Sequence, residues 1–146
     1  MQMANKEQIT QVLRGHGLRA TPQRAAIGVC LLARHRHCTP QVIYEELRGA
    51  YPSLSLNTVY TTLAQMAELG LIRSLHIEGR TIYDSNTDPH DHAHCRNCGT
   101  LVDMTAPASD QMPSGLKGWK LDGVTRVWSG LCPVCDDRSS DGQLTR

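Results

Sequence analysis

Ten consecutive residues, His90-Asp91-His92-Ala93-His94-Cys95-Arg96-Asn97-Cys98-Gly99, place three histidines at alternate positions beside a Cys-x-x-Cys pair. Imidazole nitrogen and thiolate sulfur are both metal donors. On an extended segment, side chains at i, i+2 and i+4 share one face, so His90, His92 and His94 converge if this stretch is a strand. A second pair, Cys132-Pro133-Val134-Cys135, follows with 33 residues between Cys98 and Cys132. A two-residue gap lets both thiolates of a pair reach one tetrahedral ion. Zn²⁺ accepts four sulfurs with no open position, so Cys95, Cys98, Cys132 and Cys135 predict a closed, structural zinc site. Its task is to pin the last strands of the chain to its middle. Disulfides or a redox pair would also use these thiols, but reduced surroundings favour metal ligation.

The remaining donors are of another kind. His37, Asp84, His90, His92 and Asp103, with His94 nearby, offer nitrogen and carboxylate oxygen without sulfur, a set suited to Fe²⁺ or Mn²⁺. They come from both halves of the chain, so an ion held by all of them favours one arrangement of those halves and acts as a switch. Taken alone, His37 in the basic run Arg34-His35-Arg36-His37 reads as a solvent-facing residue.

The elements that position these donors follow from periodicity. Ile9, Val12 and Leu13 form one helical stripe, ended by Gly15 and Gly17. Thr21-Pro22 and Thr39-Pro40 each combine a hydroxyl cap with a proline suited to a first turn, and predict two further helices. Their inner residues are Ile27, Cys30 and Leu31, then Ile43, Tyr44 and Leu47, with Cys30 read as a small buried residue. Ser55 caps a fourth helix whose inner face is Val59, Leu63 and Met66. Its polar set, Asn57, Thr58, Tyr60, Thr61, Thr62 and Gln65, is predicted to be exposed and suits base edges and phosphates in a major groove. Taken alone it reads first as a solvated face.

Leu71–His76 and Thr81–Asp84 then read as a hairpin about Glu78-Gly79-Arg80, which makes the unit a winged helix with Arg80 at the wing tip and Arg73 as a second candidate for phosphate, each equally an ordinary surface arginine. Residues 1–84 are assigned to this DNA-binding domain and 85–89 to a polar hinge. Residues 90–138 form a second domain and 139–146 a mobile tail, with polar character beginning at Asp136. In the second domain Thr100–Met104, Trp119–Leu121 and Val124–Trp128 are predicted strands, and any helix is short, near Ser109–Met112.

Composition bounds the class. The 146 residues are 40% hydrophobic without one Phe, enough for two small domains with aliphatic cores. No apolar run is long enough to span a bilayer and no signal-peptide pattern opens the chain, so a cytoplasmic protein is expected. Residues 1–85 carry nine Lys/Arg against six Asp/Glu, net +3, and residues 86–146 carry six against eight, net −2. The basic half is the one suited to nucleic acid.

Thr21-Pro22-Gln23-Arg24, Asn57-Thr58-Val59-Tyr60, the run from His90 to Gly99, and Cys132-x-x-Cys135 resemble, in order and spacing, the ferric uptake regulator (Fur) family over roughly residues 6–135. The resemblance implies an α+β protein with an N-terminal winged helix-turn-helix domain and a small α/β dimerisation domain carrying a four-cysteine zinc site. It implies a homodimeric repressor that binds palindromic, A·T-rich operator DNA when its regulatory site holds Fe²⁺ or Mn²⁺. It adds Arg24 and Ser55 to Asn57, Thr58, Tyr60, Thr61 and Arg80 as candidate DNA contacts.

Within the family the peroxide-sensing, PerR-type regulators are most similar. Their N-terminal His, two Asp and two His match His37, Asp84, Asp103, His90 and His92 here. Iron-responsive members tend to have Glu in place of Asp84, and zinc-responsive members use a Cys before the His pair where this chain has none. The implied chemistry is oxidation of a ligand imidazole, His37 or His90, when bound Fe²⁺ meets H₂O₂, with loss of metal and release of DNA. A protein consumed in its own reaction is not an enzyme. Many relatives complete a third metal site with a His in the strand before the second Cys pair. Val124 to Gly130 contains none, so no complete third site is expected and His94 is left a spare ligand. The segment before Trp119 is also shorter and more broken than the family's dimerisation helix.

The alternative is an iron- or manganese-responsive uptake repressor without peroxide chemistry. Two other classes fit less well. A metal-dependent enzyme has no evident nucleophile here, and a zinc interaction module would not respond to Mn²⁺ or Fe²⁺ in binding a duplex.

Overall fold

The structure, a computed structural model, describes residues 5–32, 37–105, 114–121 and 124–141. Contacts divide the chain into two units, Met1–Thr87 and Asp88–Arg146, with the division inside the polar joint.

The first unit opens with helix α1 (Lys6–Gly15), started by a capping box. The Asn5 side chain accepts from the Gln8 N–H at 2.9 Å, and the Gln8 side chain accepts from the Asn5 N–H at 2.9 Å. Ile9 and Leu13 are buried while Val12 lies at the edge of the stripe, 38% exposed. Ile9 packs so closely on α2 (Pro22–Leu32) that a Cβ on Gly28 would come within 2.5 Å of its Cγ2. Helix α3 (Pro40–Leu47) starts at the Thr39 cap. Helix α4 (Leu56–Glu68) starts at Ser55, whose hydroxyl accepts from the Thr58 N–H at 3.1 Å. Leu13, Ile27, Leu31, Ile43, Leu63 and Met66 meet in one aliphatic core.

Thr62 departs from its predicted exposure: it is fully buried. Three residues after Val59 and four before Met66, it sits on the inner stripe. Its hydroxyl is satisfied there, donating to the Thr58 carbonyl at 2.7 Å and accepting from Arg24 Nε at 3.3 Å.

A three-stranded antiparallel sheet completes the unit, in the order β1-β3-β2, from β1 (His37–Cys38), β2 (Arg73–Ile77) and β3 (Arg80–Asp84). Strand β2 begins at Arg73 and not at Leu71. Gly70, at φ 70°, ends α4 in the left-handed region, and the Leu71 N–H is taken by the Met66 carbonyl at 3.0 Å. Glu78 and Gly79 have φ of 50° and 75°, a two-residue turn of the primed kind whose twist matches the hairpin. Strand β1 has no counterpart in the sequence pattern, since two residues carry no period.

The second unit is a sheet in the order β5-β4-β6 from β4 (Asp91–Cys95), β5 (Leu101–Met104) and β6 (Val127–Gly130), followed by α5 (Pro133–Asp141). Strand β5 runs antiparallel to β4, and β6 parallel to it. Trp119–Leu121 is not a strand: Gly115 and Gly118, at φ 94° and 87°, turn the chain, and the Trp119 N–H bonds back to Leu116 at 3.1 Å. Strand β6 begins at Val127, three residues later than predicted. The helix predicted near Ser109–Met112 lies outside the described residues. The chain is helical from Pro133 to Asp141, which takes in residues 139–141 of the predicted tail, because Pro133 opens a first turn in which the Cys135 and Asp136 N–H groups both bond the Cys132 carbonyl at 2.9 Å. Residues 142–146 lie outside the described ones.

The two units differ in what they bury. Among the described residues, every buried aliphatic side chain belongs to the first unit. The second buries His90, Asp91, His92, His94, Cys95 and Cys135. No described helix is long and apolar enough to cross a membrane.

Candidate metal centre

The four cysteines come from three places in the second unit. Cys95 ends β4, Cys98 sits in the β4–β5 turn, and Cys132 and Cys135 flank the start of α5. The turn is a tight knuckle. The Gly99 N–H bonds the Cys95 carbonyl at 2.9 Å, the Cys95 N–H bonds Thr100 at 2.9 Å, and Gly99 takes φ 74°. All four sulfurs lie within 4.8 Å of one another, Cys98 and Cys132 at 3.8 Å. The Cys132 N–H donates to Cys95 Sγ at 3.3 Å. Backbone N–H groups of Cys98 and Cys132, and then of Asn97, bring the Cys95 thiol down to about 6. For Cys132 the Cys135 N–H pulls the other way, but the Cys135 thiol, burial and the Cys95 and Cys98 sulfurs push it up to about 11. Such crowding opposes ionising all four thiols together unless a cation sits among them. The donor set therefore fits Zn²⁺.

On β4 the alternation carries the histidines to the other side of the strand from Asp91. His90 Nδ1 meets the Asp88 carbonyl at 2.7 Å, a contact in which Nδ1 donates, and this turns Nε2 toward His92. His90 Nε2 lies 3.0 Å from His92 Nε2 and 3.4 Å from Asp103 Oδ1, and His92 Nε2 lies 3.7 Å from that same oxygen. Asp103 is there because its position on β5 is directly opposite His92. Two imidazole nitrogens and a carboxylate oxygen thus face one point with no sulfur among them. His92 is wholly buried, while the side chains of His90 and Asp103 are 7% and 43% exposed.

The first unit has a His/Asp pair of its own. His37 on β1 is directly opposite Asp84 on β3, with Nε2 and Oδ2 3.9 Å apart. The Asn86 N–H bonds Asp84 Oδ1 at 2.8 Å and orients the carboxylate. His94 is buried against β5 and β6 and is brought into neither donor group.

The DNA-contact candidates divide. Ser55, Asn57, Tyr60, Thr61 and Arg80 are exposed and Thr58 half-buried. Tyr60, hydrogen-bonded to the Gln41 amide, and Arg80 line a cleft of about 480 Å³ with Thr39, Gln41, Gly79 and Thr81. Arg24 is placed differently: its guanidinium is engaged by Thr62 Oγ1, by the Arg19 carbonyl at 3.2 Å and by the Gln65 side chain. It ties α2 to α4.

Sequence reasoning passes over Asp91, Arg126 and Trp128. Asp91 is 2% exposed, and hydrogen bonds from Trp128 and Arg126 hold its carboxyl below the usual range against the effect of burial. The one local signal is an acid between two histidines.

The ferric uptake regulator family matches residues 15–123. The peroxide operon regulator of Bacillus subtilis (strain 168) is 34% identical, over 89% of this chain and 92% of its own. Among solved structures, the ferric uptake regulator Fur of Helicobacter pylori superposes with a TM-score of 0.70 at 19% identity, covering 93% of this chain and 97% of that one. The peroxide-sensing regulator PerR of Streptococcus pyogenes does so with a TM-score of 0.50 at 28% identity, covering 89% and 92%. The match spans both units and contains the first Cys pair and the His/Asp donors, and the chain belongs to the ferric uptake regulator family.

Proposed function

We propose that this chain is a metal-dependent, DNA-binding transcriptional repressor that senses hydrogen peroxide. Zn²⁺ on Cys95, Cys98, Cys132 and Cys135 is structural. Fe²⁺ or Mn²⁺ is the regulatory ion, held by His90, His92 and Asp103 together with His37 and Asp84 from the first unit.

The carrying observation is the sulfur-free triad on β4 and β5, whose ring nitrogens are 3.0 Å apart and 3.4 and 3.7 Å from one carboxylate oxygen. Two imidazole nitrogens and a carboxylate oxygen this close together form a ready donor set for one cation, and nitrogen with oxygen donors suits iron or manganese. Identity to a peroxide operon regulator supports the choice of signal. An Fe²⁺ held by these residues would supply the redox chemistry that cleaves H₂O₂ beside a ligand imidazole; in the balanced outcome the ring gains one peroxide oxygen and the other leaves as water. His37 and His90 are the targets that the resemblance to peroxide-sensing regulators implies. An oxidised ring is a poorer ligand, so the ion is lost and the linkage between the two units with it. The protein is altered once and does not turn over.

The DNA-facing surface is the exposed side of α4, with Ser55, Asn57, Tyr60 and Thr61, and the wing residue Arg80. The partner is a palindromic A·T-rich duplex read by a homodimer, in the cytoplasm. The test is mass spectrometry of zinc-loaded protein carrying Fe²⁺ or Mn²⁺ after mild H₂O₂. One added oxygen on peptides bearing His37 or His90, with Fe²⁺ alone and with loss of duplex binding, is expected. No gain at full iron loading overturns peroxide sensing and leaves an iron- or manganese-uptake repressor.

A further inference from the structure

Asp91 stands between His90 and His92, is nearly inaccessible, and belongs to neither donor group. The alternation of β4 turns it away from His92. On that side Arg126 Nε donates to both carboxylate oxygens, at 2.9 and 3.0 Å, and the Trp128 indole N–H donates to Oδ2 at 3.0 Å. Arg126 directly precedes β6, and its carbonyl accepts the His92 N–H at 3.0 Å. One residue therefore grips His92 by its backbone and Asp91 by its side chain.

A carboxylate out of water needs a cation, either a metal ion or a guanidinium. Here the guanidinium is present, 36% exposed, over an acid that is 2% exposed. The pair also has mechanical work to do. Strand β6 is four residues long, runs parallel to β4, and has no buried aliphatic side chain among the described residues to hold it there.

We propose that Arg126 is the built-in cation of Asp91 and, with Trp128, a positioning residue for the regulatory metal. The clamp fixes β4 on β6, so that His90 Nε2, His92 Nε2 and Asp103 Oδ1 face one point before an ion arrives. This rests on the reading of those three residues as metal ligands. A site ordered in advance binds more tightly, because metal binding does not have to supply the ordering. Without the guanidinium, Asp91 draws water or turns outward, and the Trp128 N–H is left as the remaining bond of the clamp between β4 and β6.

The experiment is Mn²⁺ titration of the zinc-loaded, full-length chain, read from the electron paramagnetic resonance signal of free Mn²⁺, with zinc per chain measured in parallel. If the unsubstituted protein binds no Mn²⁺, the ligand assignment fails and this inference with it. If it binds, Arg126→Met is expected to weaken Mn²⁺ at least tenfold, about 1.4 kcal/mol, with zinc unchanged. Arg126→Lys, which keeps the charge but not the planar guanidinium, recovers part of the loss. Unchanged Mn²⁺ affinity in Arg126→Met at full zinc content overturns the proposal. Should Arg126→Met lose zinc as well, Trp128→Phe decides, since it removes one N–H and keeps the ion pair. A twofold to fivefold loss is then expected, and none refutes the clamp.

Discussion

Arg24 and Tyr60 show how far a side chain's type is from its role. Both are candidate DNA contacts by type, but Arg24 is hydrogen-bonded to Thr62, Arg19 and Gln65 while Tyr60 keeps 38% of its surface. Hydrogen bonds from a charged group contribute about 1.5–3 kcal/mol where they are shielded, and less at a half-buried site such as this. Arg24→Ala is therefore expected to destabilise the first unit by about 1–2 kcal/mol, with a fall of several degrees in its thermal midpoint. Tyr60→Ala should change stability by no more than about 0.5 kcal/mol while weakening operator binding. Calorimetry beside a duplex titration separates them, and an unshifted midpoint for Arg24→Ala would refute the interhelical tie.

At the scale of elements, the units are held by different physics. Helices α1 to α4 enclose an aliphatic core. Strands β4, β5 and β6 with α5 bury polar and sulfur groups in its place. The four-cysteine knuckle joins the β4–β5 turn to the start of α5, and metal binding at such sites contributes about 10–16 kcal/mol in small zinc modules. Removing zinc with a chelator, or Cys132→Ser, is expected to lose the β4–β5–β6 sheet and leave the helical unit folded. Amide hydrogen exchange would show protection lost from 91–95 and kept in 56–68. Retained protection in β4 without zinc would mean that the sheet stands by itself.

At the scale of the whole molecule, surface replaces core. Eight of the twelve exposed large hydrophobic side chains among the described residues fall between Val102 and Val134. A unit with this much apolar surface and so little aliphatic interior suits the proposed homodimer, in which a second copy covers what the fold leaves open. Val102, 49% exposed on β5, and Val134, 60% exposed on α5, are test positions that supply no metal donor. Val102→Glu with Val134→Glu is expected to shift sedimentation from a dimer toward the 16.1 kDa chain with zinc content preserved. A pair of substitutions that leaves the mass of the particle unchanged places the interface elsewhere.

The amino-acid sequence by itself determined much of what depends on near neighbours, although the turn at Trp119 and the helix opened by Pro133 are local and were not legible in it. Thr39 and Ser55 as helix caps, the Glu78-Gly79 turn and the Cys-x-x-Cys pairs are local, since a cap or a chelating pair is satisfied within a few residues. The donor types alone separated a sulfur site from a nitrogen and oxygen site. Only the tertiary structure decided which side chains at long range meet. Thr62 lies on the inner stripe by its spacing alone, and the fold adds Arg24, 38 positions away, as a second partner for its hydroxyl. Strand β1 exists because β3 pairs with it, and Asp103 joins His90 and His92 through the register of β5 on β4. Asp91 found Arg126 and Trp128 because β6 runs parallel to β4 across a long connection. Strand order and register arise from what many segments bury together, and no window of neighbouring residues contains them.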